Sequence, residues 1–259
     1  MHWVLQNNLY NEAAFGEMLV AFNQLGVTYS IHKVVPFTHA LEPELPTSVE
    51  GRIVVLGSYT LAQIAIERGW KPGAFLGENL DYRVQLKHWG EHMLNYPDAW
   101  FGRFKDVPAS TVPFFIRPVF DSKVFAGFVT DWPSFVNWRN GVLALTPDDN
   151  PTMDGDTEVM VCSNKRIYRE FRIWIVNGRA VMSSMYKPLV SSDVDERVIK
   201  FAEACDAKWS PLFAYVLDVA EAASRSGTVL KILEVNNLNA SGFYAADMKK
   251  IIMAIEREI

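Results

Sequence analysis

Two segments, Tyr215-Val-Leu-Asp-Val219 and Thr228-Val-Leu-Lys-Ile-Leu-Glu-Val-Asn236, decide how this chain is read. Both are short and rich in β-branched and aliphatic residues, which predicts strands. Ala223-Ser-Arg-Ser-Gly227 lies between them and reads as a turn. Side chains alternate faces along a strand, so Glu234 and Asn236 are expected to point one way, Leu233 and Val235 the other. Asp218 lies eight residues before Ser226 and Glu234 eight after it. A hairpin folded about that serine sets the two carboxylates opposite each other across the ladder. Like charges so placed repel, and a cation is the natural third party. Two carboxylates and an amide oxygen on one face suit Mg2+, a hard cation that takes oxygen ligands. Asp218, Glu234 and Asn236 are therefore the candidate metal set, against the plainer reading of a solvated polar face. The continuation Asn236-Asn-Leu-Asn-Ala-Ser-Gly-Phe-Tyr244 favours the metal, because small polar residues end a buried strand where a ligand-binding loop is expected.

Upstream, Thr111-Val-Pro-Phe-Phe-Ile-Arg-Pro118 reads as an apolar strand with a cation at its end. It enters a loop carrying Lys123 and Phe125-Ala-Gly127, then returns as a second strand. An arginine in that position is usually an ion-pair partner. With a loop lysine six residues on and a glycine beyond it, the pattern also suits a polyphosphate held between two cations. Glu158-Val-Met-Val-Cys162 is a further buried strand. Arg169 to Met182 is the clearest hairpin, with Asn177-Gly178 suited to a type I′ turn. It places Glu170, Arg172 and Trp174 on one face, with Lys187 after the returning strand. A cross-strand ion pair on a solvated face is the alternative there. Helices are expected at 131–138, 194–206 and 245–256 as scaffold.

The first 80 residues alternate strand and helix: His2–Gln6, a helix capped by Asn11 and ended by Gly26, Val27–Val35, Arg52–Gly57, then a helix over 60–68. That predicts a small parallel α/β lobe. It holds no GxGxxG. His88 and His92, on a helix expected over 81–95, have metal-ligand spacing but no accompanying carboxylate motif. With 259 residues and 49% hydrophobic content the chain can bury a large core. A net charge of −5 without basic blocks argues against sequence-independent nucleic-acid binding. No apolar run approaches the ~20 residues that span a bilayer, and the N-terminal residues lack signal-peptide character. Two cysteines, Cys162 and Cys205, make no disulfide framework. A cytoplasmic setting follows as the expectation, and a homodimer is the base-rate expectation.

These pieces occur in one order: a strand ending Ile-Arg-Pro, a glycine-containing loop, Val-Met-Val, a Glu-x-Arg hairpin, an Asp-Val-Ala strand, then Glu-Val-Asn. In that order, over about residues 110–257, the chain resembles the ATP-grasp superfamily, mostly ADP-forming carboxylate–amine or carboxylate–thiol ligases. It is most similar to a small bacterial and phage clade with arginine where most families have the first nucleotide-binding lysine. The resemblance implies an α+β ATP-grasp fold, two lobes sandwiching ATP, preceded by a Rossmann-like α/β domain. The implied divisions are 1–80, 81–162 with the central lobe, and 163–259 with the metal site. It implies ATP and Mg2+ as cofactors. Arg117 and Lys123 would contact phosphates under the loop around Gly127. Met160, Val161 and Cys162 would form the hinge beside adenine, although Cys162-Ser163 stands where a carboxylate often follows. Glu170 would join the nucleotide contacts, and Arg172 and Lys187 would face the transferring phosphoryl group. Asp218, Glu234 and Asn236 would hold magnesium. The activity implied is ATP-dependent ligation of a small-molecule or peptide carboxylate to an amine through an acyl phosphate. A small-molecule kinase and a non-catalytic ATP-binding module remain as alternatives. Substrate contacts are expected near Leu9–Asn11, Gly57–Tyr59 and Asn237–Tyr244.

Overall fold

The apolar run His2–Gln6 forms the central strand, β1, of a mostly parallel sheet in the computed structural model. Residues 1–8, 13–36, 38–120, 124–149 and 152–259 are described. After β1 come α1 (Ala13–Leu25), β2 (Thr28–Val35), β3 (Ala40–Glu42), β4 (Ile53–Leu56), α2 (Tyr59–Glu67) and β5 (Pro72–Gly73). The strand order is β3-β2-β1-β4-β5, with only β3 antiparallel to its neighbour. Both faces are covered, which explains why Trp3-Val4-Leu5 of β1 and the whole of β4 are unbroken apolar runs rather than alternating ones. Val4 and Val55 pack under Leu61 and Ile64 of α2. Trp3, Leu5, Val54 and Leu56 pack the other way, with Met18 and Phe22 of α1.

A second, antiparallel sheet follows α3 (Tyr82–Trp89), which ends at Gly90 with φ +49°, short of the expected residue 95. Its strands are β6 (Trp100–Arg103), β7 (Phe114–Pro118), β8 (Phe128–Thr130) and β9 (Glu158–Ser163), in the order β6-β9-β7-β8. α4 (Trp132–Leu143) starts at the Asp131 cap, where Ser134 N donates to Oδ1 at 2.8 Å, and runs further than the sequence suggested. Its Phe135 and Val142 bury Phe104, Phe114, Ile116, Val159 and Val161.

The third sheet contains β10 (Ile167–Val176), β11 (Arg179–Lys187), β12 (Ala214–Ser224) and β13 (Gly227–Asn237), in the order β11-β10-β12-β13, all antiparallel. Asn177 (φ 47°) and Gly178 (φ 77°) take the left-handed conformations a type I′ turn requires. α5 (Glu196–Lys208) and α6 (Met248–Glu258) lie on opposite sides of this sheet. On one face Phe171, Ile173, Leu217, Val219 and Ile232 pack against Val198 and Ala202 of α5 and against Met160 and Cys162 of β9. On the other, Trp174, Val176, Ala214 and Val216 pack against the first sheet and against Ile251, Ile252 and Ile255 of α6. Burying each of these large side chains contributes ~1.5–3 kcal/mol. The latter face changes character along its strands. One rung on from Trp174 and Val216 stand Arg172 and Asp218, lining an open cavity.

Candidate active site

Register places the charges. Arg172 pairs with Asp218 across β10 and β12, and Asp218 with Glu234 across β12 and β13. The opposition of the two carboxylates is as the sequence predicts, but it arises differently. Ser224 pairs with Gly227, so the turn is Arg225-Ser226, and Val219 pairs with Ile232. A regular ladder from that turn would bring Leu233 opposite Asp218. A β-bulge between Asp218 and Val219 inserts one residue on β13 and brings Glu234 there instead. The bulge also corrects an expected facing: Val235 points to the core, while Leu233 lines the cavity beside Glu234.

Two arginines answer the repulsion between these carboxylates. Arg172 donates from Nε to Asp218 Oδ1 at 2.8 Å and from NH2 to Oδ2 at 2.7 Å. Arg117, at the end of β7, reaches across from the second sheet to Glu234 Oε2 at 2.7 Å. Asn236 ties the pairs together, its Nδ2 donating to Asp218 Oδ2 and Glu234 Oε1, each at 3.1 Å. The guanidinium of Arg172 also lies 5.0 Å from the Tyr244 ring centre and 5.5 Å from that of Tyr186. Those two rings stack on each other at 5.0 Å. Arg117 sits 4.9 Å from the ring of Tyr82. Burial works to lower the Arg172 pKa, but the Asp218 charge outweighs it and holds the guanidinium protonated. Burial first, then the Asp218 charge, raises Tyr186 far above the ordinary phenol value, so it stays neutral.

The cavity between the second and third sheets has a volume of about 640 Å3, within the range of ligand sites. Of the residues singled out from sequence, Arg117, Gly127, Glu170, Arg172, Lys187, Asp218 and Glu234 line it. Gly127 makes a close approach possible: a Cβ there would lie 2.6 Å from Phe115 Cζ and 3.1 Å from Arg117 Cβ. Glu170 and Lys187 pair at 3.1 Å, the cross-strand ion pair named as the alternative, yet both border the cavity. Lys123 and the segment Leu9–Asn11, including the Asn11 cap, lie outside the described residues.

Some expectations need correction. Met160, Val161 and Cys162 do not line the cavity. β9 is covered on both faces, Met160 and Cys162 in one core and Val161 in another, and burial pushes the Cys162 thiol up to about 12. The residues after them, Ser163, Asn164 and Lys165, border the cavity instead. Most of the segment Asn237–Tyr244 is internal wiring. Asn237 Oδ1 accepts from Ala240 N, Ser241 Oγ donates to Asn237 O, and Asn239 bonds Val55 O and Phe75 N of the first lobe. Of that segment only Tyr244 lines the cavity. Gly57 N and Ser58 N are likewise engaged, by Asn239 O and Gln6 Oε1. His88 stacks on Trp209 at 4.3 Å and His92 meets Phe201 edge-on, both in packing roles. Tyr186 and Lys165 escaped sequence reasoning, although each adjoins or closely follows a segment already singled out.

The donor set fits magnesium. Asp218, Glu234 and Asn236 offer only oxygen and amide groups. Among the described residues no cluster of three His, Cys, Asp or Glu exists that would suit a softer metal. Mg2+ takes one or two protein carboxylates and completes its shell with phosphates and water. As arranged here Asn236 presents Nδ2 to both carboxylates, so offering its oxygen to a cation takes a half-turn of the amide.

The profile of an ATP-grasp domain family, the third family of its clade, matches residues 39–255. The chain therefore belongs to that ATP-grasp family, and its α+β architecture is the ATP-grasp fold. Among solved structures it is similar to the ATP-grasp ligase PsnB complexed with a minimal precursor (TM-score 0.58, 9% identity, covering 100% of this chain and 99% of that one). It is also similar to D-alanine–D-alanine ligase from Bacillus anthracis complexed with ATP (0.57, 13%, 99% and 96%). A third is a RimK domain ATP-grasp protein from Sphaerobacter thermophilus (0.58, 13%, 93% and 92%). At these identities the likeness speaks for the fold. A comparison with curated protein sequences gave no match. No helix among the described residues is long and apolar enough to cross a membrane.

Proposed function

We propose that this protein is an ATP- and Mg2+-dependent ligase that joins a carboxylate to an amine and releases ADP and phosphate. The observation that carries the proposal is the pair of bridged ion pairs, Arg117–Glu234 and Arg172–Asp218, joined by Asn236 where the second and third sheets meet at the cavity. A carboxylate is a poor electrophile. Transfer of the γ-phosphoryl group of ATP to it gives an acyl phosphate and ADP. An amine then attacks the acyl carbon, forming the C–N bond and expelling phosphate. Such chemistry asks the protein mainly for positioned cations around phosphate charge and for exclusion of water.

The residues supply these needs in distinct ways. Arg117 and Lys123 bind phosphate oxygens, with the segment around Gly127 covering them. Arg172 and Lys187 face the transferring group, and Glu170 orients Lys187 through their 3.1 Å bond. Asp218, Glu234 and Asn236 hold magnesium, which when bound neutralises phosphate charge and aligns the transfer. For both arginines to meet phosphates, each must give up part of its carboxylate pairing as the cation takes those oxygens over. The Tyr186–Tyr244 stack keeps Arg172 aimed during that exchange. The neutral, buried Tyr186 adds no charge of its own.

The division 1–80, 81–162 and 163–259 belongs to the same proposal, with ATP between the second and third parts. The carboxylate substrate is a small molecule or a peptide; PsnB, of the same fold, has been captured with precursor peptide PsnA2 and AMPPNP. A cytoplasmic location is in keeping with two buried free cysteines, and a homodimer is retained as the base-rate state. The test is ADP release from Mg·ATP across a panel of carboxylates and amines, with the amide product detected by mass. Stable phosphorylated acceptor without amide, or nucleotide binding without ADP release across the panel, refutes the ligase reading.

A further inference from the structure

The chain lacks a carboxylate at the end of β9, where Cys162-Ser163 stands, and the fold supplies one from elsewhere. Trp100 pairs with Val161 in the antiparallel β6–β9 ladder, so the register carried two residues on aligns position 98 with position 163. Asp98 occupies that position. Its Oδ2 accepts from Ser163 N at 3.1 Å and from Ser163 Oγ at 2.5 Å. Lys165 Nζ donates to both Asp98 oxygens at 2.9 Å and to Ser163 Oγ at 2.7 Å. An ammonium has three donors, and these three bonds turn the Lys165 charge inward, toward Asp98. Burial works to raise the Asp98 carboxyl, but the hydrogen bonds from Ser163 and Lys165 outweigh it and keep the group ionised.

The segment so fastened, Ser163-Asn164-Lys165, is one wall of the cavity. It lies away from the phosphate-side arginines. Arg117 pairs with Met160, and Ser163 is three residues further along β9, about 10 Å at the rise of a strand. A nucleotide whose phosphates meet Arg117 and Arg172 therefore has room for its base against Ser163–Lys165. We infer that Asp98 is a positioning residue for the nucleotide base: it fixes the backbone after β9 in the form that reads the base and neutralises a lysine that would otherwise favour anions at that end. The inference rests on the nucleotide reading above, but it assigns a residue from the linker before β6 that no local motif marks.

The test separates base from phosphates. Binding of Mg·ATP and of Mg·tripolyphosphate, which has no base, is measured by calorimetry for wild type, Asp98→Ala and Asp98→Asn. Loss of a charge-assisted anchor predicts that Asp98→Ala weakens ATP about tenfold or more. Tripolyphosphate, which touches only the phosphate side, is expected within about twofold of wild type. Asp98→Asn keeps an oxygen for Ser163 N but no charge for Lys165, and is expected to recover only part of the ATP affinity. The preference for ATP over GTP narrows in Asp98→Ala in parallel. Unchanged ATP affinity in Asp98→Ala, or equal weakening of both ligands, overturns the inference while leaving the ligase proposal standing. A wild-type protein that binds neither ligand overturns both.

Discussion

Replacing Asp218 with asparagine removes one charge from a pair that water hardly reaches: Arg172 is 7% exposed and Asp218 1%. Breaking a buried ion pair from one side typically costs ~3–5 kcal/mol, because the remaining charge stays buried without its counter-ion. Asparagine keeps the shape and one acceptor. Arg172 also retains Gly242 O at 3.2 Å and two tyrosine faces. The expected cost is therefore at the lower end, ~3 kcal/mol, or roughly 6–12 °C in Tm at this chain length. Glu234→Gln is expected to be milder, ~1 kcal/mol, because the Glu234 side chain is 28% exposed and water can replace part of what Arg117 loses. Both variants should nevertheless lose Mg2+-dependent ATP binding. The double variant Arg172→Met/Asp218→Leu removes both buried charges together and should regain stability to within ~1 kcal/mol of wild type without regaining ATP binding. Urea unfolding read by circular dichroism, paired with calorimetric ATP titrations with and without Mg2+, separates the two effects. A wild-type urea midpoint for Asp218→Asn would refute the energetic argument. Retained Mg2+-dependent ATP binding in Glu234→Gln and in the double variant would refute the metal assignment.

Three further outcomes are expected. Glu221 accepts from both Arg169 and Arg197, and hydrogen bonding, Arg169 first, holds its pKa down to about 2 from 4.5. A depressed carboxyl stabilises above its unfolded pKa and loses that contribution as pH falls through the folded one. Since both arginines are well exposed, Glu221→Gln should cost only ~1–2 kcal/mol at pH 7, a gap that closes in urea midpoints taken from pH 5 down to pH 2. Gly127→Ala forces a methyl against Phe115 and Arg117; displacement of Arg117 should raise the Kd for Mg·ATP about tenfold, measured by titration, with a small change in Tm. Asn239→Ala leaves Val55 O and Phe75 N, formerly bonded at 2.6 and 2.7 Å, without their buried partner, and should cost ~2–4 kcal/mol in chemical denaturation.

Periodicity and turn chemistry made much of the fold legible. β1, the Asn177-Gly178 hairpin and the β12–β13 pair follow from local sequence, because each depends on apolar alternation or on residues that tolerate positive φ. Helix ends were less legible. α3 stops at Gly90 and α4 continues to Leu143, as tertiary packing and a left-handed glycine override the apolar pattern. At the site, Arg117, Arg172 and Asp218 could be found because each sits on a strand whose period fixes its face; Glu234 and Asn236 share a face by the same period, but their alignment with Asp218 depends on the bulge. Asp98, Tyr186 and Lys165 could not be found, for a common physical reason. Their roles depend on pairing between segments distant in sequence, on the register shift between Glu170 and Phe171 in the β10–β11 ladder, and on a strand end that no local motif marks. The asparagine-rich segment after β13 misled in the opposite direction. Its polarity looks like ligand chemistry, but Asn237 and Asn239 are spent on backbone groups that would otherwise be buried unpaired.

The charge arithmetic of the site shows how one arrangement can serve structure and, on the proposed function, catalysis. Asp218 and Glu234 facing each other would repel, and the sequence alone points to a metal as the remedy. The fold already contains a remedy in Arg117 and Arg172, which give two positive charges for two negative ones, with Asn236 linking the pairs. Counted over these described residues the cluster is neutral, and a neutral cluster can be buried beside Trp174 and Val216 at tolerable cost. On the proposed function, a phosphate-bound cation would offer the carboxylates a partner at the moment when the phosphates offer the arginines theirs. Each exchange, on the same proposal, favours the other: magnesium alone would draw the carboxylates away from Arg117 and Arg172, and phosphate alone would draw the arginines away from Asp218 and Glu234. On that proposal, coupling of the two ligands is expected from the pairing itself. It follows from the register that sets Arg172, Asp218 and Glu234 on one rung across three strands.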